Sequence, residues 1–241
     1  MDNQTTIGRL FGEDMITFVI PSYQRAYSWR VGKDGRVGQV DMFLNDIIDQ
    51  PDNSSYFLGH YLFEKTQGNR YELIDGQQRL TTTVIFMSCL VKELRKRKIV
   101  RFDYNNMQYA TEQIYERYLQ PRYGSQKFET VPEDSSFFNR LIIECDSDYR
   151  IETGRRSERR IREASSFFEE KMATQTEEGT LFKWFHVIDN AIITTFLLSG
   201  ESAKLTATQI FAFQNDRGLG LTTLELSLIH ISEPTRLGMI S

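Results

Sequence analysis

Hydrophobic and polar positions in the first hundred residues follow two rhythms. Residues 15–20 (MITFVI) are a short, apolar, β-branched run halted by Pro21, which predicts a strand feeding a loop. Val40, Phe43, Leu44, Ile47 and Ile48 then recur as the apolar face of an amphipathic helix, stopped at Pro51 and followed by the loop PDNSS. Tyr56–Glu64 and Arg70–Asp75 are rich in aromatic and branched residues and are separated by KTQGN, which predicts a β-hairpin. From Gly76 the rhythm changes. Leu80, Val84, Met87, Val91 and Leu94 fall near helical spacing, and the basic run Arg95–Lys98 suits the negative end of a long helix.

Beyond residue 100 the pattern reads as mostly helical and charged. PEDSSFFNRLIIE predicts a helix capped by Asp134 or Ser135. SERRIREASSFFEEKM predicts another, with Ile161, Ala164, Phe167 and Phe168 on one side. LFKWFHVIDNA reads as a helix leading into the strand IITTFLLS, and TATQIFAFQN as a last helix ending at DRGLGLTTLEL. No internal repeat or low-complexity segment is present. This order predicts an α+β fold, a small mixed sheet with a mostly helical insertion or extension. The expected organisation is a core over 1–100 and a helical region over 101–225 that returns to the core. Residues 226–241 (LSLIHISEPTRLGMIS) read as translated sequencing adapter rather than native sequence, so a C-terminal part of the natural protein is expected to be missing.

Composition narrows the picture. The chain has 241 residues, 40% hydrophobic and 26% charged, enough for a sizeable core and unlike a disordered or rod-like chain. Lys+Arg 29 against Asp+Glu 33 gives a net charge of -4, so nucleic-acid contact requires a local basic patch. Two such runs exist, KELRKRK (Lys92–Lys98) and RRSERRIR (Arg155–Arg162). Cys89 and Cys145 cannot form a disulfide framework or a structural zinc site, and Cys89 reads as a buried thiol. No secretory signal is visible in MDNQTTIGRL and no apolar run reaches membrane length, so the expected compartment is the cytoplasm.

Three segments carry candidate chemistry. In Leu73–Thr82 (LIDGQQRLTT) an apolar strand ends at an acid, turns at a glycine and opens a helix. Helix N-termini present free N–H groups to anions, Gly76 permits close backbone approach, and Arg79 can fork onto phosphate oxygens. Asp75 can hold Mg²⁺ through one or two oxygens, and Gln77 or Gln78 can orient a water. The plainer alternative is that Asp75 caps the helix and the glutamines are solvated helix formers; the turn by itself favours that alternative. IPSYQRAYSW is dense in aromatic and guanidinium groups that stack on bases and grip phosphate. Here Trp29 is expected to anchor the loop, while Gln24 and Arg25 are expected to act. In FQNDRGLGLT, Asn215 and Arg217 stand where they can close over the same anion, although alone this is only a helix end. His60 reads as a packed strand residue. No Walker-type phosphate loop is present, and three histidines cannot supply an HNH-like cluster.

Taken together, IPSYQRAYSW, YFLGHYLFE, LIDGQQRLTT and FQNDRGLGLT resemble, in this order, the N-terminal domain of GmrSD-type modification-dependent restriction enzymes and related phage-defence proteins. The resemblance covers about residues 7–225 and implies a ParB/sulfiredoxin-like core that hydrolyses nucleoside triphosphates. By that resemblance Asp75, Gln77, Gln78 and Arg79 are catalytic, with Asp75 the Mg²⁺ ligand. Tyr23, Gln24, Arg25, Gly76, Thr81, Asn215 and Arg217 bind nucleotide. It further implies a sensor domain acting with a nuclease domain or subunit on DNA. The alternatives are a ParB-like DNA-binding module without turnover and a direct DNA nuclease.

Overall fold

The computed structural model describes residues 4–198 except 14, 52–53, 147–148 and 150–152; the TATQIFAFQN segment expected to be a helix, Asn215, Arg217 and the 226–241 segment lie outside the described residues. The chain begins with strand β1 (Gln4–Thr6), helix α1 (Ile7–Gly12) and strand β2 (Thr17–Val19). After the loop over 20–38 come α2 (Gln39–Ile48), β3 (Phe57–Lys65), β4 (Arg70–Asp75) and α3 (Gln77–Lys96). A second hairpin, β5 (Arg101–Tyr104) and β6 (Met107–Ala110), leads into α4 (Thr111–Tyr118) and the short β7 (Phe128–Glu129). α5 (Ser135–Phe138), α6 (Arg156–Ala173), α7 (Glu178–Asp189) and β8 (Ile192–Leu198) follow.

Six strands form one mixed sheet in the order β1-β8-β3-β4-β2-β7. The predicted hairpin β3–β4 is antiparallel and pairs Leu62 with Asp75 and Phe63 with Leu73, with a bulge between Leu62 and Phe63. β8 arrives from the far end of the described chain and lies parallel to β3. β2 lies parallel to both β4 and β7. The α+β architecture expected from the sequence is therefore present, and strands from both halves of the chain complete the sheet.

Helix α3 is the centre of the core. Leu80 and every residue from Val84 to Val91 except Ser88 are apolar and wholly buried, so the helix is covered on all sides. Its polar residues are satisfied internally. Thr81, Thr82 and Thr83 donate to the carbonyls of Gln77, Gln78 and Arg79, and Ser88 donates to Ile142 O at 2.7 Å. Phe86 meets Phe43 and Phe168 edge-on at 6.1 and 5.4 Å, joining α2, α3 and α6.

Three sequence expectations are corrected, the second only in part. Residues 101–110 are a hairpin rather than helix, turned by Asn105 and Asn106 at φ 52 and 60, the conformation a two-residue hairpin loop requires. Asp134 is the N-cap of α5, as expected, but its side chain makes no capping bond: its carboxylate accepts from Ser157 Oγ at 2.8 Å, and a 3-10 turn over 132–134 leads into the helix. Ile48 is exposed rather than on the buried face of α2.

Candidate active site at the IDGQQR turn

β4 runs along the sheet and ends at Asp75. Gly76 takes φ 90, ψ 4, the left-handed region, and is itself the N-cap of α3, with no side-chain capping bond. The chain thus reverses from strand to helix within one residue. A Cβ at Gly76 would lie 2.6 Å from the Tyr61 ring, so the turn also presses the backbone onto β3. Asp75 is half-buried and makes no side-chain hydrogen bond or ion pair among the described residues. The capping role that the turn alone suggested for Asp75 is therefore taken by a glycine, and the carboxylate is left without a structural task.

The YQRAYSW loop packs directly on this turn. Gln24 Nε2 donates to Ile74 O at 2.9 Å, and Gln77 Nε2 donates to Gln24 Oε1 at 2.9 Å. Gln78 is not solvated; it is 7% exposed. Its Oε1 accepts from Ser28 N at 2.7 Å and from Ser28 Oγ at 3.3 Å, while Nε2 donates to Ala26 O at 3.3 Å. Tyr27 is buried, with its hydroxyl 2.9 Å from Thr82 Oγ1, and Trp29 is half-buried against Phe43. Tyr23 is exposed; its hydroxyl donates to Glu72 at 3.4 Å, and burial together with Glu72 and Glu64 raises it to about 12. One loop therefore anchors through Tyr27 and Trp29 and presents Gln24 to the turn.

The side-chain amide of Gln78 is fully engaged in holding the loop, which leaves Gln77 as the glutamine at the rim. Replacing Gln78 by leucine removes three bonds and strands Ser28 N–H and Ala26 C=O. The expected loss is about 2 kcal/mol of unfolding free energy, read by urea denaturation. An unchanged transition would mean that the loop is held by its aromatics alone.

Arg79 leaves the first turn of α3 and lies over β3. Its guanidinium fills the space beside Gly59, which has φ 113 and no side chain, and stacks at 5.8 Å from the Tyr61 ring centroid. Tyr61 is wholly buried, and its hydroxyl has no well-formed hydrogen bond among the described residues. Burial drives that hydroxyl well above its ordinary pKa, against the pull of the adjacent Arg79. Nearby, burial and the Asp46 carboxylate raise Tyr56 to about 12. Both phenols are therefore neutral at physiological pH. Tyr56, Gly59 and Tyr61 were not singled out from the sequence as site residues; the glycine inside a strand was the available signal.

Arg25 is exposed and lines a cavity with Trp29, Arg30 and Arg156 rather than touching Asp75. The Thr81 hydroxyl is committed to Gln77 O at 2.7 Å. His60 is exposed, its ring against Phe57 and Phe196. Cys89 is a buried free thiol, as its apolar setting predicts, and burial pushes it up to about 12. Among the described residues no three His, Cys, Asp or Glu side chains group as a metal cage. Asp75 alone suits only a cation held largely by phosphate oxygens, which is how Mg²⁺ is commonly bound beside nucleotides. No helix of the described residues is long and apolar enough to cross a membrane.

No curated protein matches the chain. The family described as GmrSD restriction endonuclease, N-terminal domain, matches residues 7–231, which is most of the sequence. The strand–glycine–helix turn, the loop packed on it and this match together make the chain a member of the GmrSD N-terminal domain family.

Proposed function

We propose that this domain binds and hydrolyses a nucleoside triphosphate at the IDGQQR turn, and so acts as the sensor of a DNA restriction or phage-defence system. Membership of a restriction-endonuclease family supplies the system. The observation that carries the chemistry is the half-buried Asp75, without a side-chain partner among the described residues, beside a left-handed glycine at the start of a 20-residue helix. The first N–H groups of such a helix lack intrahelical partners and face an anion with the positive end of the dipole.

In this reading the triphosphate lies across the N-terminus of α3. Arg79 neutralises phosphate charge from the β3 side, whereas Arg25, expected at this site from the sequence, lines the neighbouring cavity instead. Gln77, its amide held by Gln24, keeps its carbonyl oxygen for the attacking water. Water adds to the terminal phosphorus as the bond to the leaving diphosphate oxygen breaks. Asp75 would hold Mg²⁺, which supplies charge neutralisation at the phosphates when bound. Gly76 and Gln24 shape the floor; Asn215 and Arg217, which the resemblance adds to the set, lie outside the described residues. Hydrolysis would gate a nuclease domain or subunit.

The direct test is phosphate release from the four ribonucleoside triphosphates with Mg²⁺. Arg79→Ala is expected to lower release by about 10²-fold. Release that survives this substitution would remove the turn from the reaction. No release by the unsubstituted protein, with or without DNA, would refute hydrolysis by this chain.

A further inference from the structure

The two basic runs of the sequence have different fates in the fold. In KELRKRK, Lys92 pairs with Glu169, Arg95 with Glu112, and Lys96 and Arg97 with Glu93. Those four charges are spent within the protein, and of this run only Lys98 is exposed with no ion pair among the described residues. In RRSERRIR, Arg155 pairs with Glu158 and Arg160 with Glu163, but Arg156 and Arg159 are exposed and have no ion pair among the described residues. Both stand on one face of α6 at an i, i+3 spacing. Opposite them the loop over 20–38 brings Arg25, Arg30 and Arg36, all exposed and without an ion pair among the described residues.

These five guanidinium groups line two adjoining cavities of about 820 and 600 Å³ that share Arg30, Gln39, Arg156 and Arg160. Two acids lie there. Glu163 is already held by Lys33 and Arg160, which leaves Asp34 as the acid not so engaged. Trp29 lines the second cavity, its ring fixed against Phe43 at 6.5 Å. Like charges gathered without partners repel, and in a chain of net charge -4 this concentration has no structural benefit.

We propose that this arginine trough binds the phosphodiester backbone of a nucleic-acid strand, with Trp29 as a stacking surface for a base. Sites for small molecules are mostly apolar, with a few placed polar groups, whereas a trough walled by arginines over two cavities matches successive phosphates. The trough is separate from the IDGQQR turn, and the proposal does not rest on nucleotide hydrolysis. The same loop serves both places. Gln24 touches the turn, Ala26 and Ser28 are tied to Gln78, and Arg25, Trp29 and Arg30 face the trough. A strand seated in the trough therefore rests on the segment that frames the nucleotide site.

The test is fluorescence anisotropy of a labelled DNA duplex and of its single strand, without nucleotide, over a range of salt. Arg156→Ala/Arg159→Ala is expected to weaken binding roughly tenfold and to lower the slope of log K against log salt by about 2. Arg30→Ala/Arg36→Ala on the facing wall is expected to behave alike. Arg101→Ala/Arg122→Ala, which removes the same charge from outside the trough, is expected to leave affinity within about twofold. Thermal melting checks that each variant is folded. Absence of binding by the unsubstituted protein at low salt overturns the proposal. So does an equal loss in the control pair, which would mean a net-charge effect, or equally tight binding of an acidic polypeptide, which would mean a protein partner.

Discussion

Asp75→Ala is expected to abolish phosphate release, by about 10²- to 10³-fold or more, while leaving the fold intact. The side chain makes no hydrogen bond or ion pair among the described residues, so little structure depends on it. Its backbone pairing with Leu62 in β3 survives truncation, and the helix is capped by Gly76 rather than by Asp75. A surface or half-buried carboxylate with no partner is usually worth within about 0.5 kcal/mol to stability. Rate and stability are therefore expected to separate cleanly, which is the signature of a group whose partner is the substrate. The measurement is single-turnover phosphate release beside a denaturation curve. Unchanged release would remove Asp75 from the site. A large loss of stability would instead make it a structural residue.

Gly76→Ala is expected to cost stability and activity together. At φ 90 any L-residue is strained by about 1–2 kcal/mol. The added methyl would stand 2.6 Å from Tyr61 Cδ1, and Tyr61 cannot retreat because it is wholly buried and stacked on Phe63. Overpacking of this kind adds about 1–3 kcal/mol. The sum is about 2–5 kcal/mol of lost unfolding free energy. Pushing Tyr61 aside would also disturb Arg79, which stacks on the same ring. The midpoint of urea unfolding measures the first effect and phosphate release the second. Full activity with wild-type stability would show that the turn tolerates a side chain, against the geometry at Gly76.

The elements around the turn were legible because each carries local signals. Branched and aromatic runs bounded by Pro21, KTQGN and Gly76 name β2, β3 and β4, and a sustained helical period names α3. The N-terminal β1 and α1 gave no comparable signal, since a three-residue strand is defined by its neighbour, here β8. The β5–β6 hairpin carried a legible one, Asn-Asn between two aromatic alternations, and it was outweighed by the charged helices around it.

Site chemistry was legible in part. Asp75, Gly76, Arg79 and Gln24 stood out in the sequence, and the fold gathers all four within one turn and the loop packed on it. It could not separate the two glutamines. Gln77 and Gln78 are adjacent and chemically identical, yet the helical rotation of about 100° between them turns one to the rim and the other under the loop. It could not separate the two basic runs either, because a charge is spent or available according to which acids the fold brings opposite it.

What the sequence determined by itself was therefore local: the strand–glycine–helix turn, the aromatic anchors of the loop, and the family to which four ordered motifs point. Tertiary structure alone decided which strands from distant parts of the chain would flank that turn. It also decided that Tyr61 and Gly59 would shape the space around Arg79, and that five arginines from a loop and a helix more than a hundred residues apart would face one another unpaired. The physical reason is that propensity, turn chemistry and periodicity act over a few residues. Burial, pairing of charge and the fate of a side-chain hydrogen bond depend on whatever the sheet and helices bring alongside.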